Sequence, residues 1–181
     1  MLDRKPLSPD ELMELLGELG ISTQTRQHPA LFTVEDGVEI KKSIPGGHTK
    51  NLFVKDKKGN FFLIVAGDQA KIPMNKIHAK IGARSRLSFA NADYLMQYLG
   101  ITPGSVTAFA AINDHEGQVK VIIDEPLLDS DLINCHPLTN TMTTTISRSD
   151  LLRFLEHVNH KPDVIALSIS EDVAEPAGEQ P

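Results

Sequence analysis

The sequence predicts one α+β domain built on a mixed sheet, on three observations. Segments of helical and of alternating periodicity follow one another irregularly, with hairpin turns between them. The run Phe61-Phe62-Leu63-Ile64-Val65-Ala66 is almost wholly apolar, as suits a central strand covered on both faces. The 181 residues fit a single domain with a sizeable core, and no repeat or linker divides them.

Ser8-Pro9-Asp10-Glu11 opens the first helix: Ser8 caps, Pro9 suits the first helical position and Glu11 completes a capping box. Leu12, Leu15, Leu16 and Leu19 form its apolar face, and Gly20 ends it. Thr23 to Gln27 is a short extended piece. Thr33 to Asp36 cap a second helix that runs to about Lys42. Strands follow near 49–55 and 60–66, joined by the turn Asp56-Lys57-Lys58-Gly59. A helix is expected over Pro73 to Ile81 and a strand over Arg86 to Phe89. Asn91 caps a helix that ends at Gly100. Strands near 105–112 and 118–123 flank the turn 114–117. The chain to Ser147 is β-rich, with Thr143 to Ile146 its clearest strand. Ser147-Arg148-Ser149-Asp150 opens a helix over 148–158, and Val164 to Leu167 is an edge strand. The domain spans 1–169. The tail 170–181 carries four acids and no periodicity, and is expected to be disordered.

No apolar run approaches the roughly 20 residues that cross a bilayer. The N-terminus leads into an acidic amphipathic segment rather than a signal-peptide core. A single cysteine, Cys135, excludes an internal disulfide, and cytoplasmic residence is the simplest expectation. The net charge of −6 conceals an asymmetry. Between Lys41 and Arg86, eleven Lys and Arg face only Asp56 and Asp68, a local net charge of +9. Such a stretch can bind a polyanion, or it can be a set of solvated lysines on turns.

Several chemistries are absent from the sequence. There is no GxxxxGK[ST] loop, no GxGxxG after a strand and no GxSxG elbow. The seven histidines form no HxH or HExxH pair, and His157 and His160 are expected to lie solvated near a helix end. Cys135 and His136 are neighbours in a strand, so they point to opposite faces and make no catalytic pair. Catalysis without a protein nucleophile must work by positioning and electrostatics. One pair of residues suggests a ligand: Lys50-Asn51 enters an apolar strand directly from the turn Pro45-Gly46-Gly47. A cation and an amide there suit a ligand with negative or carbonyl oxygens.

Four segments resemble the YbaK/ProX-type aminoacyl-tRNA deacylases, closest to the ProXp-ala branch that hydrolyses alanine mischarged onto proline tRNA. They are His28 to Glu35, Thr49-Lys50-Asn51-Leu52-Phe53, Leu99 to Val106 and His136-Pro137-Leu138-Thr139-Asn140-Thr141, in order and spread over nearly the whole chain. The resemblance implies a mixed, mostly antiparallel sheet curled into a partial barrel with helices around it. It implies that Lys50 holds the backbone of the terminal adenosine and the ester, that Asn51 helps fix the ester, and that backbone amides of the Gly100 to Ser105 turn, at Gly104 or Ser105, face the ester carbonyl. His136 then lines the aminoacyl pocket, with His28, Asn140, Gly100 and Pro103 as further substrate contacts. Lys71, Lys76, Lys80, Arg84 and Arg86 are candidates for holding the acceptor stem through phosphates.

The implied partner is the aminoacylated acceptor end of tRNA(Pro), with prolyl-tRNA synthetase or an elongation factor as further candidates. The protein is expected to be a monomer or weak homodimer with no metal or cofactor. A second site for small residues has a physical rationale, because missing methylenes give a proline pocket only about 1–3 kcal/mol against alanine. Alternatives of the same fold are Cys-tRNA(Pro) or Ser-tRNA deacylation. A non-catalytic tRNA- or synthetase-binding module and a small-molecule esterase are the alternatives of other classes.

Overall fold

The computed structural model describes residues 4–31 and 34–170. Thr33, expected to cap the second helix, and the tail beyond residue 170 lie outside them. The chain begins with helix α1 (Pro9–Glu18), closed by the reciprocal Ser8–Glu11 capping box. Gly20 follows with φ +67°, the left-handed geometry that ends a helix at little cost for glycine. Strand β1 (Thr23–Gln27) leads to α2 (Val34–Ser43). The hairpin β2 (Gly47–Lys55) and β3 (Phe61–Gly67) pairs Lys50 with Ala66 and Lys55 with Phe61.

A two-residue strand β4 (Ser88–Phe89) and a short helix α3 (Ala92–Tyr94) come next; α3 runs on as a π-helical turn over Leu95–Leu99 to Gly100. Asn91 caps α3 as expected. The remaining elements are β5 (Val119–Asp124), β6 (Leu132–Cys135), β7 (Met142–Ser147), α4 (Arg148–His157) and β8 (Asp163–Ile165).

Among the described residues the eight strands form one mixed sheet in the order β1-β7-β6-β2-β3-β5-β8, with β4 also on β2. The sheet is open, not closed into a barrel. Contacts of β2 with β6, β3 with β5 and β5 with β8 are parallel, and the rest antiparallel. β6 meets β2 only at Gly47 and His48, and β4 meets it only at Val54 and Lys55.

β3 is the buried central strand its composition calls for. Phe61, Leu63 and Val65 face a cluster containing Leu12 and Leu16 of α1 and Leu151, Phe154 and Leu155 of α4. Phe62 and Ile64 face a smaller cluster with Val54, Ile77, Ile81 and Ile122. The alternation of β3 therefore feeds two cores rather than one.

Two expected elements are replaced. Pro73 to Ile81 folds as successive turns, closed by Lys76 N–H to Pro73 O and Ile81 N–H to Ile77 O, and not as a helix. A segment this short gains little from helix propagation, so docking of Ile77 and Ile81 on the sheet decides its shape. The stretch expected as a strand over 105–112 contains a 3-10 helix, Ala108–Asn113, started by Thr107 Oγ1 accepting from Phe109 N–H. Ala108 to Ala111 are buried all round, and a short apolar run cannot distinguish strand from buried helix by period alone. The expected strands 86–89 and 164–167 shorten to Ser88–Phe89 and Asp163–Ile165.

Candidate functional site

A cavity of about 280 Å³ opens between α2 and the sheet where β6 meets β2. Its walls include Ile40 and Lys41 of α2, His48 and Thr49 of β2, and Asn134 to His136 at the end of β6. Thr143 of β7 completes it. Sequence-predicted His136 is thus in the wall; Lys41, His48, Asn134 and Thr143 are wall residues that sequence reasoning missed. A signal was present in Ile133-Asn134-Cys135, where an amide stands between apolar strand neighbours.

The wall is cross-linked by hydrogen bonds. Thr49 Oγ1 donates to Asn134 O (2.8 Å), and Thr145 Oγ1 donates to Asn134 Oδ1 (2.6 Å). Asn134 Nδ2 donates to Pro45 O (3.2 Å), so this buried amide ties the glycine turn to β6 and β7. His48 Nε2 faces the carbonyls of Lys41 and Ile44, each at 3.0 Å, and anchors the end of α2 to β2.

His136 Nδ1 donates to Met142 O (3.0 Å), because a carbonyl can only accept. That leaves Nε2 as an acceptor in the neutral ring. Burial holds the His136 pKa below its ordinary 6.5, and His28 and Lys41 push the same way. His28 lies 6.4 Å from His136 between ring centroids, with Nε2 at 2.8 Å from Thr143 Oγ1 and Nδ1 donating to Pro29 O. Cys135 is buried, and burial pushes its thiol up to about 12, so it is an inert wall.

Lys50 and Asn51 follow Thr49 along β2 and point to opposite faces of the sheet. Lys50 shares the face of Leu52 and Val54, and its Nζ donates to the Ala70 carbonyl. Ala70 belongs to the loop after β3. Asp68 of that loop holds Lys41 at 2.8 Å, and its N–H donates to His48 O. Thus one loop links the Lys50 ammonium to two residues of the cavity wall. Asn51 is on the face of Phe53, and its Oδ1 is buried with no hydrogen-bond partner among the described residues.

The glycine-rich turn divides in its placement. Gly104, with φ +88°, lies against the 136–141 loop, where an added Cβ would stand 3.6 Å from Asn140 Nδ2. Exposed Pro103 precedes it. The N–H of buried Ser105 already donates to Thr102 O (3.2 Å). Gly100 is packed instead under Pro6, only 2.5 Å from where its Cβ would be, and lines no wall of the cavity. Lys71, Lys76, Lys80, Arg84 and Arg86 are all exposed on the segment that covers the smaller core, and Lys80 Nζ donates to Ala166 O.

His160 corrects another expectation. It is not solvated beside His157 but buried, with Nε2 donating to Asp114 Oδ2 (2.9 Å) and Nδ1 to Val158 O (2.7 Å). Two acceptors on one ring call for the imidazolium. Among the described residues no cluster of His, Cys, Asp or Glu could hold a metal ion, and no helix is long and apolar enough to cross a membrane.

Comparison with known proteins agrees with the motifs. Residues 28–154 match the model of the aminoacyl-tRNA editing domain. The chain is 36% identical over 158 residues to prolyl-tRNA synthetase associated domain-containing protein 1 of Danio rerio, covering 86% of this chain and 85% of that protein. It is 34% identical over 142 residues to the prolyl-tRNA editing protein ProX of Acetoanaerobium sticklandii, covering 78% and 86%. Among solved structures, one described as a candidate trans-editing enzyme for prolyl tRNA synthetase shares the fold, with a TM-score of 0.66 at 18% identity over 91% of this chain and 99% of that one. The matched model covers well over half of the chain, and the chain belongs to the aminoacyl-tRNA editing domain family, of the YbaK/ProX type.

Proposed function

We propose that the protein is a trans-acting deacylase that hydrolyses the ester of mischarged Ala-tRNA(Pro). The observation that carries this reading is the cavity of about 280 Å³, walled largely by hydrogen-bonded groups, whose wall residue Thr49 directly precedes Lys50 and Asn51 in β2. Its volume is at the lower end of small-ligand sites, which suits a small aminoacyl group. A site of that size complements a proline-selective synthetic pocket, since it admits alanine and turns away the proline ring. The prolyl-tRNA editing name of a relative supports the tRNA(Pro) part of the reading.

In the proposed reaction, water attacks the ester carbonyl. The bond to the ribose oxygen breaks, and the proton from water passes to that oxygen, releasing alanine and tRNA. The 2′-hydroxyl of the ribose assists. Negative charge develops on the carbonyl oxygen, and a preset N–H donor there is worth about 10²–10³ in rate. Gly104 is the better donor candidate, since the Ser105 N–H is occupied within its own turn. Lys50 supplies a point charge for the adenosine phosphate and the ester. The unpartnered Asn51 Oδ1 accepts from the substrate, a role that offsets the cost of a buried orphan acceptor. Neutral His136 Nε2 accepts a hydrogen bond at the aminoacyl end, braced by His28, while Asn140 and Pro103 border the Gly104 turn.

The exposed cations from Lys71 to Arg86 hold the acceptor stem. Prolyl-tRNA synthetase is the further partner we propose, in line with the names of the relatives, and translation sets the cytoplasm as the compartment. The test is hydrolysis of Ala-tRNA(Pro) beside Pro-tRNA(Pro), by wild type and Lys50→Ala. Alanine-selective hydrolysis that drops by about 10²-fold or more in the variant is expected. Equal hydrolysis of both esters, or full activity of Lys50→Ala, would overturn the reading. Hydrolysis of the cysteine or serine ester alone would move the substrate within the same class.

A further inference from the structure

The far end of β2 from the cavity carries a surface that the hydrolytic site does not use. Phe89 on edge strand β4 is 65% exposed, more than any other large apolar residue described. It pairs in register with Val54, and Ser88 pairs with Lys55. The hairpin turn reaches the same place: Lys57 N–H donates to Ser85 Oγ (2.8 Å) and Arg84 N–H to Asp56 Oδ2 (2.9 Å). Segments nearly thirty residues apart thus bring Lys57, Lys58, Arg84 and Arg86 to the end of β2 that carries Phe89.

The sole acid between Lys55 and Phe89 other than Asp68 is Asp56, which is only 1% exposed. Its oxygens are taken by the N–H groups of Lys58, Asn60 and Arg84 and by Asn60 Nδ2. Among the described residues no carboxylate pairs with Lys57, Lys58, Arg84 or Arg86. Lys120 and Lys161 differ, since each is paired with a carboxylate, Asp163 and Glu156. Lys55, next to Val54 in the strand, points to the opposite face, where its Nζ lies 5.1 Å from the centre of the Tyr94 ring.

An exposed ring near cations that pair with no described carboxylate is an arrangement that can stack a base while holding the neighbouring phosphates. Lys55 lies six positions beyond Thr49 at the cavity, about 20 Å along β2. The unpaired nucleotides at a tRNA 3′ end can bridge such a span. We propose that Phe89, with Lys57, Arg84 and Arg86, forms a nucleotide-stacking surface that engages the RNA where the acceptor stem begins, while the terminal aminoacyl-adenosine occupies the cavity. The surface rests on the editing reading, and it adds a stacking contact to the phosphate contacts of that reading.

Phe89 is exposed, so Phe89→Ala leaves the core intact. The experiment measures kcat/KM for intact Ala-tRNA(Pro) and for an alanyl-CCA trinucleotide that lacks the stem, in wild type, Phe89→Ala and Phe89→Trp. The expected result is an about tenfold fall in the tRNA-to-trinucleotide ratio for Phe89→Ala, restored by Phe89→Trp. An unchanged ratio overturns the proposal, as does equal loss on both substrates. Binding of uncharged tRNA(Pro) is measured in parallel, which tests the surface even when the wild type is inactive. In that case weaker binding by Phe89→Ala supports the surface, whereas absent binding by wild type or equal binding by both overturns it.

Discussion

At the Gly47–Thr49 end of β2, polar side chains satisfy one another. Thr49, Asn134 and Thr145 form one chain of hydrogen bonds, and His28 joins Thr143 in a second. At the Lys55 end, a buried carboxylate takes the N–H groups of the turn, and Lys57, Lys58, Arg84 and Arg86 pair with no carboxylate among the described residues. The first arrangement makes a hydrogen-bonded wall in which the Lys41 ammonium is held by Asp68. The second makes a field for a polyanion. One strand therefore carries two kinds of surface, because the partner strands and loops differ at its two ends.

Breaking the Lys55 end should have the largest effect. Asp56→Ala strips the acceptor from four N–H groups and is expected to cost about 3 kcal/mol, lowering Tm by about 10 °C in a thermal melt. Burial raises the Asp56 pKa, but the bonds from Asn60, Arg84 and Lys58 outweigh it and bring it from 3.8 down to about 2. Because the folded value is the lower one, this stability is present above pH 4 and is lost as pH falls from about 4 toward 2. A melt unchanged in Asp56→Ala, or flat over that window, would remove the organising role given to the acid.

At the cavity end the expected effect is on rate. His136 is held neutral by burial, so hydrolysis should fall as pH drops, with an inflection below 6.5. His136→Gln should lose that inflection and about tenfold in kcat/KM. An inflection that survives the substitution would assign it elsewhere.

The smallest expected effect is at Asp114–His160, which sharpens the contrast with Asp56 by giving a buried carboxylate a cation. Burial opposes both charges; the hydrogen bond between them nevertheless raises His160 and lowers Asp114. The raised His160 value stabilises fully below pH 6.5, and the gain is lost as pH rises through its folded value. The lowered Asp114 value stabilises above pH 3.8, and that gain is lost as pH falls through its folded value. Tm should therefore peak between about pH 4 and 6.5 on account of this pair, with a decline on the alkaline side. In His160→Gln the alkaline decline should disappear.

Much of the fold was legible because it is written in near neighbours. The Ser8–Glu11 box, the Asn91 and Ser147 caps and the 56–59 turn depend on residues within four positions of one another. The apolar run of β3 declares its own burial. Where local signals were weak, packing decided: Pro73 to Ile81 carries two well-spaced isoleucines yet forms turns, and the alanine-rich 108–113 stretch forms a 3-10 helix. Of the candidate site, His136, Gly104 and Asn140 were visible as motif residues. Lys41, Asn134 and Thr143 were not, since their partners lie far along the chain, such as Asp68 for Lys41 and His28 for Thr143.

By itself, the sequence determined a single α+β domain, a buried central strand and membership of an editing family, because caps, turns and four ordered motifs are properties of short stretches. Only the tertiary structure decided that Lys50 reaches the Ala70 carbonyl while Asn51 Oδ1 has no partner among the described residues, that Gly100 packs under Pro6 while Gly104 meets Asn140, and that Phe89 shares one end of β2 with cations from two distant segments. Those outcomes follow from strand register and loop docking, which join residues by distance in space and leave no periodic trace along the chain.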